Sequence, residues 1–100
     1  MAPGPEMAST TILIQVPGAL RAYCQGASEL RLSAPSVGAA LEELERRHPE
    51  LYRGICDETG AVRRHLGVFV NTSHIRDLEG LDTTLVAGDV VTILPAVSGG

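Results

Sequence analysis

The chain has 100 residues, 44% of them apolar but only three aromatic, with twelve Asp and Glu against eight basic residues and a net charge of −4. That length suits one compact domain with a modest aliphatic core, and no apolar run approaches the ~20 residues that a bilayer span requires. An acidic balance without a basic stripe argues against nucleic acid as a partner, because phosphate neutralisation supplies most of that affinity.

Residues 1–9 carry neither the basic start nor the apolar stretch of a signal peptide. They read as a flexible lead-in, with the cytoplasm as the default location. From Thr10 to Val16, TTILIQV alternates, so Ile12, Ile14 and Val16 share one face of a strand and Leu13 takes the other. Pro17-Gly18 interrupts it. Glu29–Ser33 alternates again, with Leu30 and Leu32 inward, and the two runs predict a hairpin with a long glycine-containing turn. Ser36 is the predicted N-cap of a helix in which Val37, Ala40, Leu41 and Leu44 form one buried stripe. On its solvated side Glu42–Arg46 and Glu43–Arg47 stand at i,i+4. Pro49 is predicted to end this helix, since it lacks an amide hydrogen and disfavours helical geometry at His48.

Residues 50–65 show no clean period and read as an irregular connection with room for one short helical turn. The cluster Arg63-Arg64-His65 within it reads as solvated. Leu66–Asn71 is the next strand, with Val68 and Val70 on one face and Phe69 on the other, and Asn71-Thr72-Ser73 turns the chain. Arg76–Ala87 contains Gly80 and predicts a single turn followed by a short extended piece. Gly88-Asp89 is a tight turn. Val90–Leu94 is apolar on both faces apart from Thr92, as suits a central strand covered on at least part of both sides. The order β, β, α, β, turn, β predicts one α+β domain over residues 10–95, a sheet wrapped over a single helix.

Cys24 and Cys56 are too few for a disulfide framework and read as reduced thiols. His48, His65 and His74 are scattered, none at ligand spacing from a cysteine, so no metal site is expected. No paired carboxylate, nucleophile–His pair or phosphate loop has usable spacing, which argues against an enzyme in its own right. All eight basic residues are arginines, so the protein offers no side-chain amine for isopeptide bonds.

The last residues carry the functional signal. Pro95 cannot donate to a sheet ladder, so regular pairing should end near it. The segment AVSGG then carries no charge except the terminal carboxylate. Glycine's missing Cβ lets a chain pass a narrow channel, which suits an active site that must reach the carboxylate itself. A carboxylate is unreactive until its oxygen becomes a leaving group, so such chemistry requires activation, for example by adenylation.

Over about residues 10–100 the chain resembles the β-grasp, ubiquitin-like sulfur carriers, among them the small subunit of molybdopterin synthase and the thiamine sulfur carrier. The resemblance rests on Gly88–Gly100 (GDVVTILPAVSGG), on Asn71 ending the third strand and on the Ser36–Arg47 helix. The ending ILPAV-x-GG looks closest to the carriers of thiocarboxylate-dependent cysteine biosynthesis. It implies a mixed sheet of four to five strands over one main helix, with a flexible tail over 96–100. It also implies that an E1-like adenylyltransferase/sulfurtransferase adenylates Gly100 with ATP and that a sulfur donor displaces AMP to leave a thiocarboxylate. The implied acceptor is a sulfur-accepting synthase, in the cysteine pathway a pyridoxal-phosphate-dependent, cysteine-synthase-like enzyme with a zinc metallopeptidase to release the product; the carrier binds no cofactor.

By the same resemblance Gly99 lets the tail thread, Pro95, Ala96, Val97 and Ser98 form its stalk, and Leu94 and Phe69 belong to the docking patch. Leu13, Phe69 and Leu94 lie opposite the core positions of their strands and form an apolar patch if those faces are uncovered. Ser98 stands where these tails often have alanine, and specialised carriers for natural products share the ending, so the pathway stays open. Two alternatives are a protein modifier conjugated through Gly100 and a molybdopterin synthase small subunit. An iron–sulfur ferredoxin of similar fold is excluded by the want of four cysteines.

Overall fold

The computed structural model describes residues 10–95; the predicted lead-in, 1–9, and the predicted tail, 96–100, lie outside the described residues. Strand β1 (Thr11–Gln15) and strand β2 (Glu29–Ser33) pair antiparallel, with Thr11 opposite Ser33 and Gln15 opposite Glu29. The predicted hairpin therefore forms. Its long connection, however, is ordered as a 3-10 helix over Gly18–Cys24, which Gln25 closes with a left-handed φ of 63°.

Helix α1 (Val37–Arg47) begins as predicted, with the Ser36 hydroxyl accepting from the Ala39 amide at 3.1 Å. Val37, Ala40, Leu41 and Leu44 are all buried, as a 3.6-residue period requires of one face. Its ion pairs differ in one partner. Arg47 meets Glu43 at 2.7 Å, but Arg46 also turns to Glu43, at 3.4 Å, and not to Glu42. Positions three and four apart both abut on a helix surface, so one carboxylate can serve two cations.

Pro49 ends α1 as predicted, with His48 held non-helical at φ −138° and ψ 70°, but helical structure resumes at once. The proline opens helix α2 (Pro49–Ile55), where its missing N–H is unpaired in any helix and its fixed φ is already helical. Leu51 and Ile55 from α2 are fully buried, so the first half of the predicted irregular connection is a core element. α2 packs against α1 and the 3-10 helix.

Strands β3 (Leu66–Val70), β4 (Ser73–His74) and β5 (Val90–Pro95) complete a five-stranded sheet in the order β2-β1-β5-β3-β4. β5 runs parallel to β1 and antiparallel to β3, which makes it the central strand that its two apolar faces predicted. Asn71 takes a left-handed φ of 56° to turn β3 into the two-residue β4, too short to show in the sequence. Between β4 and β5 lie two 3-10 turns, Ile75–Asp77 and Gly80–Asp82, and an isolated bridge from Thr84 to Ser36. The core lies on one side of the sheet, where Ile12, Ile14, Val68, Val91 and Ile93 meet residues of α1 and α2. No helix among the described residues is long and apolar enough to cross a membrane.

Candidate functional site

Alternation along β5 sorts its side chains. Val91 and Ile93 point into the core, fully buried, while Thr92 and Leu94 stand on the opposite, outer face. The register then fixes their neighbours. Leu13 of β1 lies opposite Val90, Phe69 of β3 opposite Thr92, and Gly67 of β3 opposite Leu94. None of Leu13, Phe69 and Thr92 is buried, and Leu94 is 45% exposed. The outer face is thus partly exposed, most openly at Leu94.

The predicted patch is not continuous. Leu13 and Leu94 sit beside opposite ends of β5, and between them Thr92 donates from Oγ1 to Gln15 Oε1 at 3.1 Å. Phe69 and Leu94, by contrast, line one groove. The Phe69 ring meets the His74 ring edge-on, with centroids 5.0 Å apart. Gly67 permits this: a Cβ there would sit 3.3 Å from His74 Nε2 and 3.4 Å from Phe69 Cε1. A glycine inside a strand commonly marks such a close approach.

The groove has a volume of about 690 Å³ and runs from Leu94 and Pro95 across the β3 edge to Leu81. β4 pairs only with Phe69 and Val70, so the edge of β3 from Leu66 to Val68 has no strand partner on that side among the described residues. Leu66, Leu81 and Leu94 give the groove apolar walls, and Arg63, Arg64 and Arg76 stand around it. Arg63 is held by donation from Nε to the Arg53 carbonyl at 2.9 Å. Both ion pairs found among the described residues lie on α1, and no carboxylate among those residues pairs with Arg64 or Arg76. Sequence reasoning treated Arg63-Arg64-His65 as solvated and gave Arg76 no role. The signal available was the local cluster; what it lacked was the fold that brings Arg76 to it.

Asn71 and Asp89 lock β5 against β3. Asn71 Nδ2 donates to Asp89 Oδ1 at 3.2 Å, and the Val90 amide donates to Asn71 Oδ1 at 3.1 Å. Asp89 Oδ2 in turn accepts from the Val86 amide at 2.9 Å. The titratable groups with shifted pKa values lie elsewhere, at the end of α2. Burial pushes the Cys56 thiol up to about 11 and also raises Tyr52. The Thr59 hydroxyl, followed by the Thr59 amide, lowers Asp57 by donating to its carboxylate. These groups order the chain between α2 and β3. No group of three or more His, Cys, Asp or Glu able to hold a metal ion occurs among the described residues. Of the predicted site residues, Leu13, Phe69, Leu94 and Pro95 are placed as above; Ala96, Val97, Ser98, Gly99 and Gly100 lie outside the described residues.

Comparison with known proteins bears on most of the chain. Residues 14–100 match the model of the ThiS family. The sulfur carrier protein CysO of Mycobacterium tuberculosis is 32% identical over 91 residues, covering 89% of this chain and 98% of that one. The crystal structure of CysO from that organism covers 86% of this chain and 99% of its own at 31% identity, with a TM-score of 0.79. The BexX/CysO complex of Amycolatopsis orientalis gives a chain with TM-score 0.79 at 29% identity, covering 89% of this chain and 99% of that one. Small archaeal modifier protein 1 of Methanosarcina acetivorans has a TM-score of 0.78 at 31% identity, covering 92% of this chain and 98% of its own.

Proposed function

Because the chain belongs to the ThiS family and has its β-grasp, ubiquitin-like fold, we propose that it is a sulfur carrier acting through Gly100. In this reading it is no catalyst but a co-substrate of partner enzymes. A Gly100 carboxylate oxygen attacks the α-phosphorus of ATP in an E1-like adenylyltransferase/sulfurtransferase, and pyrophosphate leaves. Sulfide sulfur then bonds to the acyl carbon, the bond from that carbon to the AMP oxygen breaks, and AMP departs with the electron pair. The resulting thiocarboxylate gives its sulfur to a biosynthetic acceptor. The likeness to CysO over 89% of the chain favours a pyridoxal-phosphate-dependent synthase of cysteine or of a specialised sulfur metabolite, with a zinc metallopeptidase to release the product in the cysteine case. ATP is a substrate of the activating enzyme and not a resident of this chain.

The observation that carries the reading is the family match over residues 14–100, which takes in the Gly99-Gly100 segment. Central strand β5 ends at Leu94-Pro95 beside the groove, and five uncharged residues closing in Gly99-Gly100 follow. Glycine leaves both sides of the acyl carbon unobstructed by a neighbouring Cβ. One domain rim and one short tail are what a partner needs in order to hold the body and reach the carboxylate. The likeness to a small archaeal modifier supports a second reading, in which the adenylated Gly100 passes to a target amine.

One experiment separates the two. The full chain is incubated with ATP, sulfide and a lysate of its source cells, then digested with trypsin. Cleavage after Arg76 releases Asp77–Gly100, which has no Met or Cys, so methionine oxidation cannot imitate the gain of sulfur for oxygen. An ATP-dependent exchange of one oxygen for one sulfur, abolished by deleting Gly100, is the expected result. The same peptide joined to lysines of other proteins would replace the carrier reading with the modifier reading. A carboxylate unchanged in every fraction overturns both.

A further inference from the structure

The groove beside Pro95 has a charge that the rest of the molecule does not share. The chain carries a net charge of −4, yet three of its eight arginines line this one groove, and none of the described residues lining it is Asp or Glu. Arg64 and Arg76 are exposed, come from segments on either side of β3, and have no carboxylate partner among the described residues. Between them lie the apolar walls of Leu66, Leu81 and Leu94. Leu81 and Leu94, at 38% and 45% exposure, are two of the five large apolar side chains that stay exposed among the described residues.

Position narrows what meets this surface. Five residues separate Pro95 from the end of Gly100, and five residues reach at most about 17 Å. A protein that works on the Gly100 carboxylate must therefore abut the end of the domain from which the tail departs, and the groove is built from that end. Resting on the sulfur-carrier reading, we propose that the arginine-rimmed groove is the docking site for an acidic surface with apolar anchors on the activating enzyme, gripped by Arg64 and Arg76. Leu94 supplies the apolar contact, and the two guanidiniums, each able to grip a carboxylate bidentately, supply orientation and the rate of encounter. Arg63 takes a lesser part, because its Nε is already committed to the Arg53 carbonyl.

The test measures the initial rate of ATP- and sulfide-dependent sulfur loading in source-cell lysate against carrier concentration. It compares wild type, the double variant Arg64→Glu/Arg76→Glu, and the control Arg46→Glu/Arg47→Glu, which makes the same charge change on α1. Each is weighed on the tryptic peptide that follows its last remaining arginine, still free of Met and Cys. The expected result is a half-saturating concentration raised about tenfold in the groove variant and unchanged in the control. The effect should fall on that concentration and not on the rate at saturation, with circular dichroism and Tm as in wild type. Equal values in all three, or an equal rise in both variants, overturns the proposal while leaving the carrier reading intact. Faster loading in the groove variant would mean that the groove holds the chain's own carboxylate end, and also overturns it. So does a wild-type dimer, seen in sedimentation, that the groove variant loses. If wild type takes up no sulfur at all, the carrier reading itself has failed.

Discussion

Ile93 and Leu94 are consecutive, isomeric in size and opposite in fate. Ile93 is 0% exposed in the core, and Leu94 is 45% exposed on the outer face of the same strand. The difference comes from the period of two along a strand and from what each face meets. The inner face is covered by α1 and α2, so it determines stability. The outer face is only partly covered, most openly at Leu94, so its apolar side chains are available to a partner. A side chain on β5 is therefore valued by its parity, and mutations at adjacent positions should separate folding from loading.

The largest effect is expected inside. Ile93→Ala should lower unfolding free energy by about 2–5 kcal/mol, the range for an aliphatic side chain truncated in a closed core, read by urea titration. A loss below about 1 kcal/mol would mean that the inner face is not the tight core described. Next comes the lock that assigns the faces. Asn71→Ala removes a residue suited to its left-handed φ of 56° and both side-chain bonds to the Asp89–Val90 turn. A cost of about 1–2 kcal/mol is expected, with amide exchange at Val90 rising first. Protection unchanged at Val90 would show that register is held elsewhere, although a slip of one residue would exchange the two faces.

Leu94→Ala should change stability by no more than about 0.5 kcal/mol, as surface positions do. It should nonetheless raise the half-saturating carrier concentration for sulfur loading several-fold. Were it to unfold the protein as Ile93→Ala does, the contrast between the faces would collapse. The smallest effect is a pH dependence of the interior. The folded state holds the Cys56 thiol up at about 11, against an ordinary 9.0. The unfolded chain therefore gives up that proton first. Stability from the neutral thiol is fully present below pH about 9 and is lost as pH rises toward about 11. Set against Cys56→Ala, the wild type should lose relative stability across that interval; a constant gap would place the thiol in water.

Much of the fold was legible because local periods carried it. Ile12, Ile14 and Val16, the Ser36 cap with the Val37–Leu44 stripe, and Val68 and Val70 all declared their buried faces, and two apolar faces marked β5 as central. Pro49 ended α1 as expected, but a proline can also start a helix, and the α2 that it opens was not legible because only the burial of Leu51 and Ile55 in the core favours it. β4 escaped notice because two residues have no period. Of the site, Phe69 and Leu94 could be found by parity, whereas Leu13 looked equivalent until the register placed Thr92 and Gln15 between them.

The sequence by itself determined which positions of β1, β3 and α1 face the core, where the first helix starts, and that a Gly-Gly segment without charged side chains follows the last strand. Those properties depend on spacing within a few residues, and backbone geometry converts spacing into direction. Only the tertiary structure decided that β5 lies between β1 and β3, that Arg76 joins Arg63 and Arg64, and that the three meet at the end from which the last residues depart. Those proximities follow from strand pairing across long stretches of chain, where no local pattern fixes which segments meet and the shared burial of one core does.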